Sequence, residues 1–181
     1  MQAEDVDACV SYFEDKIYTA GEFFLKEGRL CQKLGFIVSG GVKMFSTDFS
    51  GKENVTCFKF ENQFITSYTD FVAQQVSKKS IQCIERSAIL TLSHAAYSNL
   101  LLRFPAWQSL ATLLLEKDYE EKERYLLTYG NQPAEEKYRL CQNQFRGQES
   151  RLTLADLASY LGITSRTLSR IKGKQKKEFR L

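Results

Sequence analysis

The hydrophobic period of the chain changes from strand-like to helical near Ser93, and that change limits the architectures open to it. From Ile17 to Ser93 short aromatic and β-branched runs alternate with Gly, Asp, Ser and Asn, the rhythm of a β-roll or barrel. The segment FIVSGGVKMF (residues 36–45) reads as the clearest hairpin: Phe36 and Val38 alternate before Gly40-Gly41, and Val42 and Met44 after it. Gly provides the positive φ that tight hairpin turns require. DFSGKE (48–53) is a second polar turn leading into VTCFKF, and SIQCIE and AILTLS are two further strands split by Glu85-Arg86-Ser87. Beyond Ser93 the apolar spacing is helical. HAAYSNLLLRF stops before Pro105, residues 106–130 form a long helix closed by Gly130, and AEEKYRLCQNQF follows the break at 130–133. A shorter helical pattern at residues 3–14 places Val6, Cys9, Val10 and Phe13 on one face. The predicted class is α+β: a β-roll first, helices after it.

The segment LADLASYLGITSRTLSRIKGK, Leu154 to Lys174, is the most specific pattern in the chain. Leu154, Leu157, Ala158 and Leu161 share one helical face, with Thr153 as cap and Asp156 in the first turn, where a carboxylate suits the helix dipole. Ala158 permits close crossing by a second helix, Gly162 permits a sharp turn, and Ile163 fills the corner. Thr164 or Ser165 caps a second helix, Thr164 to Lys172, whose Leu168 and Ile171 return to the same core. Its other face carries Ser165, Arg166, Ser169 and Arg170, groups that donate to base edges or phosphates. Thr164, Thr167, Lys172 and Lys174 complete the candidate DNA-binding set. Replacing Arg166 is expected to relax sequence preference, and replacing Lys174 or Lys176 to weaken all sequences alike.

Charge is distributed in the same sense. Residues 151–181 hold eight Lys/Arg against two acids, a net of +6, while the first 150 residues hold 17 bases and 20 acids, a net of −3. A basic end on a mildly acidic body suits a polyanion. With 43% hydrophobic residues, thirteen Phe and nine Tyr, the chain has the composition of a folded globular protein. Apolar runs do not exceed three or four residues and no signal-peptide pattern opens the chain, so a cytoplasmic location is expected. The five cysteines have no C-x-x-C spacing, which leaves them as reduced small hydrophobes, with a redox-sensing thiol unsupported. No metal or cofactor is expected. The single histidine, His94, reads as a cap or surface residue, and no catalytic motif is present, so an enzyme is not expected.

A β-roll, a long helix and a C-terminal helix-turn-helix, in that order, resemble the cyclic-AMP receptor/fumarate-nitrate regulator (Crp/Fnr) superfamily. The resemblance rests most on LASYLGITSRTLSRI and next on LGFIVSGGVKMFSTDFSGKENV. It implies a cyclic-nucleotide-binding-like effector domain (1–104), a connecting and dimerisation helix (105–130) and a DNA-binding domain (131–181), acting as a homodimer on double-stranded DNA with two half-sites. RNA polymerase and an unidentified small-molecule effector are further candidate partners. Trp107, Leu110, Leu114 and Tyr125 form the stripe for pairing with a twin helix, or for packing on the chain's own β-roll.

The chain also departs from that pattern. Where nucleotide-binding members carry Gly-Glu, Thr66-Ser67 stands; where they carry the phosphate-pairing Arg, Ser77 stands beside Lys78 and Lys79. Without the carboxylate and the bidentate guanidinium, cyclic AMP is not expected in the usual manner. The chain is thus expected in a divergent branch of the superfamily. Thr66, Ser67, Tyr68, Lys78 and Lys79 are candidates for a remaining pocket or for an ordinary solvated turn. Cys9 and Cys31 are too few and too far apart for the cluster of oxygen-sensing members. GKQKKEFRL is too short for a regular wing, so a flexible basic tail is expected in its place. The competing reading is a protein-interaction or small-ligand module that does not bind DNA specifically.

Overall fold

The computed structural model describes residues 9–178. Eight strands precede most of the helices: β1 (Glu14–Tyr18), β2 (Phe23–Leu25), β3 (Lys33–Ser39), β4 (Val42–Thr47), β5 (Glu53–Lys59), β6 (Phe64–Ile65), β7 (Ser80–Cys83) and β8 (Ser87–Ser93). The helices are α1 (Tyr68–Val72), α2 (His94–Arg103), α3 (Pro105–Tyr129), α4 (Ala134–Gln144), α5 (Leu154–Leu161) and α6 (Ser165–Glu178), with a 3₁₀ turn at Glu149–Arg151. Residues 3–8 of the helix expected at 3–14 lie outside the described residues. Cys9 and Val10 are helical, and the segment becomes strand at Glu14.

The strands form two four-stranded antiparallel sheets, ordered β1-β8-β3-β6 and β2-β7-β4-β5. This corrects the expected hairpin at FIVSGGVKMF: β3 and β4 lie in different sheets. β3 pairs with β8 and β6, and β4 with β7 and β5. Gly40-Gly41 is therefore a crossing between sheets. It runs beside the return crossing at Glu85-Arg86-Ser87: the Gly41 N–H donates to Ser87 Oγ at 3.2 Å, and Ile84 N–H to the Gly41 carbonyl at 2.9 Å. Ser87 belongs to β8 and is fully buried. DFSGKE is a turn between neighbouring strands. Gly51 N–H donates to the Asp48 carbonyl at 3.0 Å, and Asp48 Oδ1 accepts from Ser50 N–H at 2.9 Å and Lys52 N–H at 3.1 Å.

Gly40 is required twice over. Its φ is +94°, and a Cβ there would lie 2.3 Å from Ser87 Oγ and 2.7 Å from the Arg86 carbonyl oxygen. Gly40→Ala is expected to lower unfolding free energy by about 2–4 kcal/mol, combining left-handed strain with overpacking. Gly28→Ala, at φ +80° with nothing within 4 Å, should show only the strain component. Equal midpoint shifts for the two variants in denaturant melts would rule out the crossing contact as a source of stability.

The chain divides into two compact units: residues up to Ser46 with Cys57–Tyr119, and Thr47–Thr56 with the residues from Glu120 onward. In the first, Phe24, Ile37, Ile65, Ile81 and Ile89 fill the roll interior. A Cβ at Gly35 would come within 2.9 Å of Phe24, Ile65 and Ile89, so this interior is close-packed. Trp107 of α3 is buried here, its indole N–H donating to Cys9 Sγ at 3.0 Å.

In the second unit Tyr125, Tyr129, Tyr160 and Phe145 stack around α5, and the Tyr125 hydroxyl donates to the Tyr160 carbonyl at 2.8 Å. Ser159 Oγ holds residues 53–55, donating to the Glu53 carbonyl at 2.7 Å and accepting from Val55 N–H at 3.0 Å. No helix among the described residues is long and apolar enough to cross a membrane. Cys9, Cys31, Cys83 and Cys141 are buried free thiols, and burial pushes Cys83 up to about 11 and Cys141 up to about 12.

Candidate nucleic-acid interface

Thr153 caps α5. Its hydroxyl accepts the Asp156 N–H at 3.0 Å and donates to the Asp156 carboxylate at 2.7 Å, which holds that anion at the positive end of the helix. Leu157, Ala158 and Leu161 are buried as their spacing predicts. Leu154 is a correction: it is 40% exposed in the first turn, and Tyr160 takes a core place through the aromatic stack. Gly162 closes α5 at φ +66°, the left-handed C-cap that lets the chain reverse. Thr164, not Ser165, caps α6. Its Oγ1 accepts the Thr167 N–H at 3.1 Å and shares a hydrogen bond with Thr167 Oγ1 at 2.9 Å. Those two hydroxyls are thus occupied in building the helix start.

Leu168 and Ile171 are buried beneath α6, while Ser165, Arg166, Ser169 and Arg170 are exposed. Arg166, Ser169 and Arg170, with Thr167, line an open concavity of about 480 Å³. Neither arginine has an ion-pair partner among the described residues. The second helix is longer than its expected span of Thr164 to Lys172: it runs to Glu178, so residues 173–178 continue the helix rather than form a flexible tail, and 179–181 lie outside the described residues. The helix persists because Gly173 is followed by good helix formers.

Two of the candidate lysines are already paired. Lys174 Nζ lies 2.8 Å from Glu135 Oε1, with both side chains more than half exposed. The hydrogen bond and charge of Lys174 hold the Glu135 carboxyl below its usual range. Lys172 Nζ lies 2.9 Å from Glu149 Oε1, half-buried, and 5.5 Å from the centre of the Tyr138 ring. Sequence spacing carried no sign of either carboxylate partner, because both come from other elements.

The effector candidates in the first unit are tied to their own surroundings. Thr66 Oγ1 donates to the Lys33 carbonyl at 3.0 Å and lies 3.3 Å from Cys31 Sγ; Ser67 Oγ donates to Asp70 at 2.6 Å. The Tyr68 hydroxyl lies 3.1 Å from that of Tyr97. Lys78 is exposed and Lys79 half-buried, beside a buried Ser77 that closes its own turn by accepting the Lys79 N–H at 3.1 Å. His94 is not the cap of α2. Ser93 accepts the Ala96 N–H at 3.2 Å, and the His94 ring packs edge-on against Phe71.

Residues 15–104 match the Cyclic nucleotide-binding domain family. Over 172 residues the chain is 26% identical to the Cyclic AMP receptor protein of Thermus thermophilus, covering 93% of this chain and 79% of that protein. Together these matches support a Crp/Fnr-type regulator of transcription. Another Crp/Fnr relative, the Fumarate and nitrate reduction regulatory protein of Vibrio cholerae, is 24% identical over 168 residues, 87% of this chain and 66% of that one. The chain thus spans 79% of the length of the first of these regulators and 66%, just under two thirds, of the second. In structure it is similar to the c-di-GMP responsive global regulator CLP of Xanthomonas campestris, with a TM-score of 0.80 at 13% identity, covering 98% of this chain and 93% of that one. That similarity shows a shared fold.

Proposed function

We propose that the protein is a cytoplasmic, homodimeric, sequence-specific DNA-binding regulator of transcription, of the divergent branch, whose effector is not cyclic AMP. The exposed Arg166-Ser169-Arg170 face carries this reading. It stands on a helix anchored by Leu168 and Ile171 and preceded by a left-handed turn, the arrangement that lets a helix enter the major groove. In a dimer, two such helices meet half-sites about one helical turn apart. RNA polymerase is the further partner such a regulator addresses.

Salt dependence of duplex binding tests this function. Affinity for a DNA fragment selected from genomic sequence should fall linearly in log–log form as salt rises. Lys174→Gln should weaken all sequences alike and reduce that slope by about 1, because phosphate displaces Glu135 from an exposed pair that contributes little. Glu135→Gln should raise affinity by roughly twofold to fivefold at low salt, since it removes an anion that competes for Lys174. Retention of duplex that is indifferent to salt would leave the protein an interaction module instead.

The negative proposal for cyclic AMP has its own test. Ser77 stands where a guanidinium would pair phosphate, and the roll interior is filled by Phe24, Ile37, Ile65, Ile81 and Ile89. A ligand at 100 times its Kd stabilises a fold by about 2.7 kcal/mol, a readily measured rise in Tm. Millimolar cyclic AMP should leave Tm unchanged, and a saturable rise would overturn the proposal.

A further inference from the structure

The two lysine–carboxylate pairs flank α6 on opposite sides. At about 100° per residue, Lys172 and Lys174 point some 160° apart around the helix, on either side of the core face of Leu168 and Ile171. Glu135 comes from the start of α4 and Glu149 from the 3₁₀ turn that follows it. Their surroundings differ. The Lys174–Glu135 side chains are 61% and 63% exposed, those of Lys172–Glu149 only 31% and 26%. Glu149 Oε1 also accepts the Tyr138 hydroxyl at 2.6 Å, Gln142 Nε2 donates to that hydroxyl at 3.3 Å, and the Lys172 ammonium sits over the Tyr138 ring. Tyr138 is itself buried, with Cys141 fully buried one turn further along α4.

From this geometry we infer that Glu149 is a positioning residue for DNA reading, which fixes the rotation of α6 through Lys172, so that Lys172 holds the helix from behind and does not contact phosphate. The inference rests on α6 being the recognition helix. The physical reason is the cost of separation. A phosphate can take Lys174 from Glu135 because both groups are already solvated. Drawing Lys172 away would strand a partly buried carboxylate and uncover the Tyr138 ring. Burial opposes ionisation of Glu149, but the Tyr138 hydroxyl and Lys172 outweigh it and hold the carboxyl below its usual range. With Lys172 fixed, Arg166 and Arg170 keep one azimuth toward the groove.

The two possible roles of Lys172 predict opposite signs for one substitution. If Lys172 bound phosphate, Glu149→Gln would free it and strengthen binding. If Glu149 positions α6, Glu149→Gln weakens binding to the selected duplex by roughly threefold to tenfold and narrows the preference over a scrambled duplex. Binding is measured by fluorescence anisotropy across a salt series, using the full chain. Lys172→Met should lower affinity and keep the salt slope of the unsubstituted protein, whereas a phosphate contact would take about 1 from the slope. Lys172→Arg, which keeps the pair, should restore affinity to within about twofold. Tighter or unchanged binding by a folded Glu149→Gln protein overturns the inference, as does a slope reduced by about 1 in Lys172→Met, which also decides the matter if Glu149→Gln fails to fold. If the unsubstituted protein shows no salt-dependent binding of selected duplex, the DNA-binding function fails instead, a distinct result.

Discussion

Leu115→Glu combined with Tyr119→Glu is expected to leave the protein folded and monomeric, and to weaken operator binding by roughly 10²–10⁴-fold. The expectation comes from the distribution of apolar groups around α3. Leu115 and Tyr119 are 50% and 66% exposed and lie about 40° apart around the helix. Thr112 and Tyr119 are seven residues apart, and Leu115 lies three after Thr112, the spacing of a two-helix seam. A helix of 25 residues, about 37 Å long, offers room for such a seam. A second copy is the expected occupant, because a twofold axis along the helix would set identical residues opposite one another. Carboxylates at both positions place like charges in the seam and remove its apolar surface. Each monomer then holds one half-site, and the gain from linking two recognition helices is lost. Light scattering reports the mass and anisotropy the affinity. Leu102→Glu, on α2 and 84% exposed, should change neither. A double variant that remains dimeric would place the interface elsewhere.

The exposed apolar face expected to form that seam lies about 120° around α3 from the stripe that apolar spacing selects, and the difference shows what a sequence can and cannot convey. Trp107 and Tyr125 are the largest apolar groups of the predicted stripe, and both are consumed inside their own units, by Cys9 and by Tyr160. Periodicity shows that a helix has an apolar face. It does not show which partner covers it, since a β-roll and a twin helix are equally apolar. FIVSGGVKMF fails for a related reason: alternation is a property of each strand, while membership of a sheet depends on Ser80–Ser93, forty residues later. Features fixed by neighbours in the chain were legible. Thr153 as cap, Gly162 at positive φ, and Leu157, Ala158, Leu161, Leu168 and Ile171 as core all follow from spacing within one or two turns. In the candidate site the exposed position of Arg166 and Arg170 was legible from the same spacing. The pairing of Lys172 with Glu149 was not legible, because that carboxylate comes from another element, whereas Thr164 as cap was one of the two alternatives the spacing left open.

Arg166→Ala is therefore expected to affect sequence discrimination more than overall attraction to DNA. Both arginines are exposed one helical turn apart, on the side of α6 turned from its core, with Ser169 beside them. A guanidinium presents two parallel donors that match the O6 and N7 acceptors of guanine, and one such contact discriminates by about 1–3 kcal/mol. Removing it should shrink the ratio of selected to scrambled affinity by roughly 5-fold to 150-fold, with the loss confined to one base-pair position in each half-site. Lys174→Gln differs in kind, because an ammonium on phosphate carries no base information. Binding-site selection with each variant separates the two: Arg166→Ala should relax one position of the recovered motif, and Lys174→Gln should recover the original motif at lower yield. Arg170, four residues on, is the same class of donor displaced by about 6 Å along the axis, so Arg170→Ala should relax a neighbouring position. An unchanged motif and unchanged affinity for Arg166→Ala would remove Arg166 from the reading face and leave Arg170 and Ser169 to carry it.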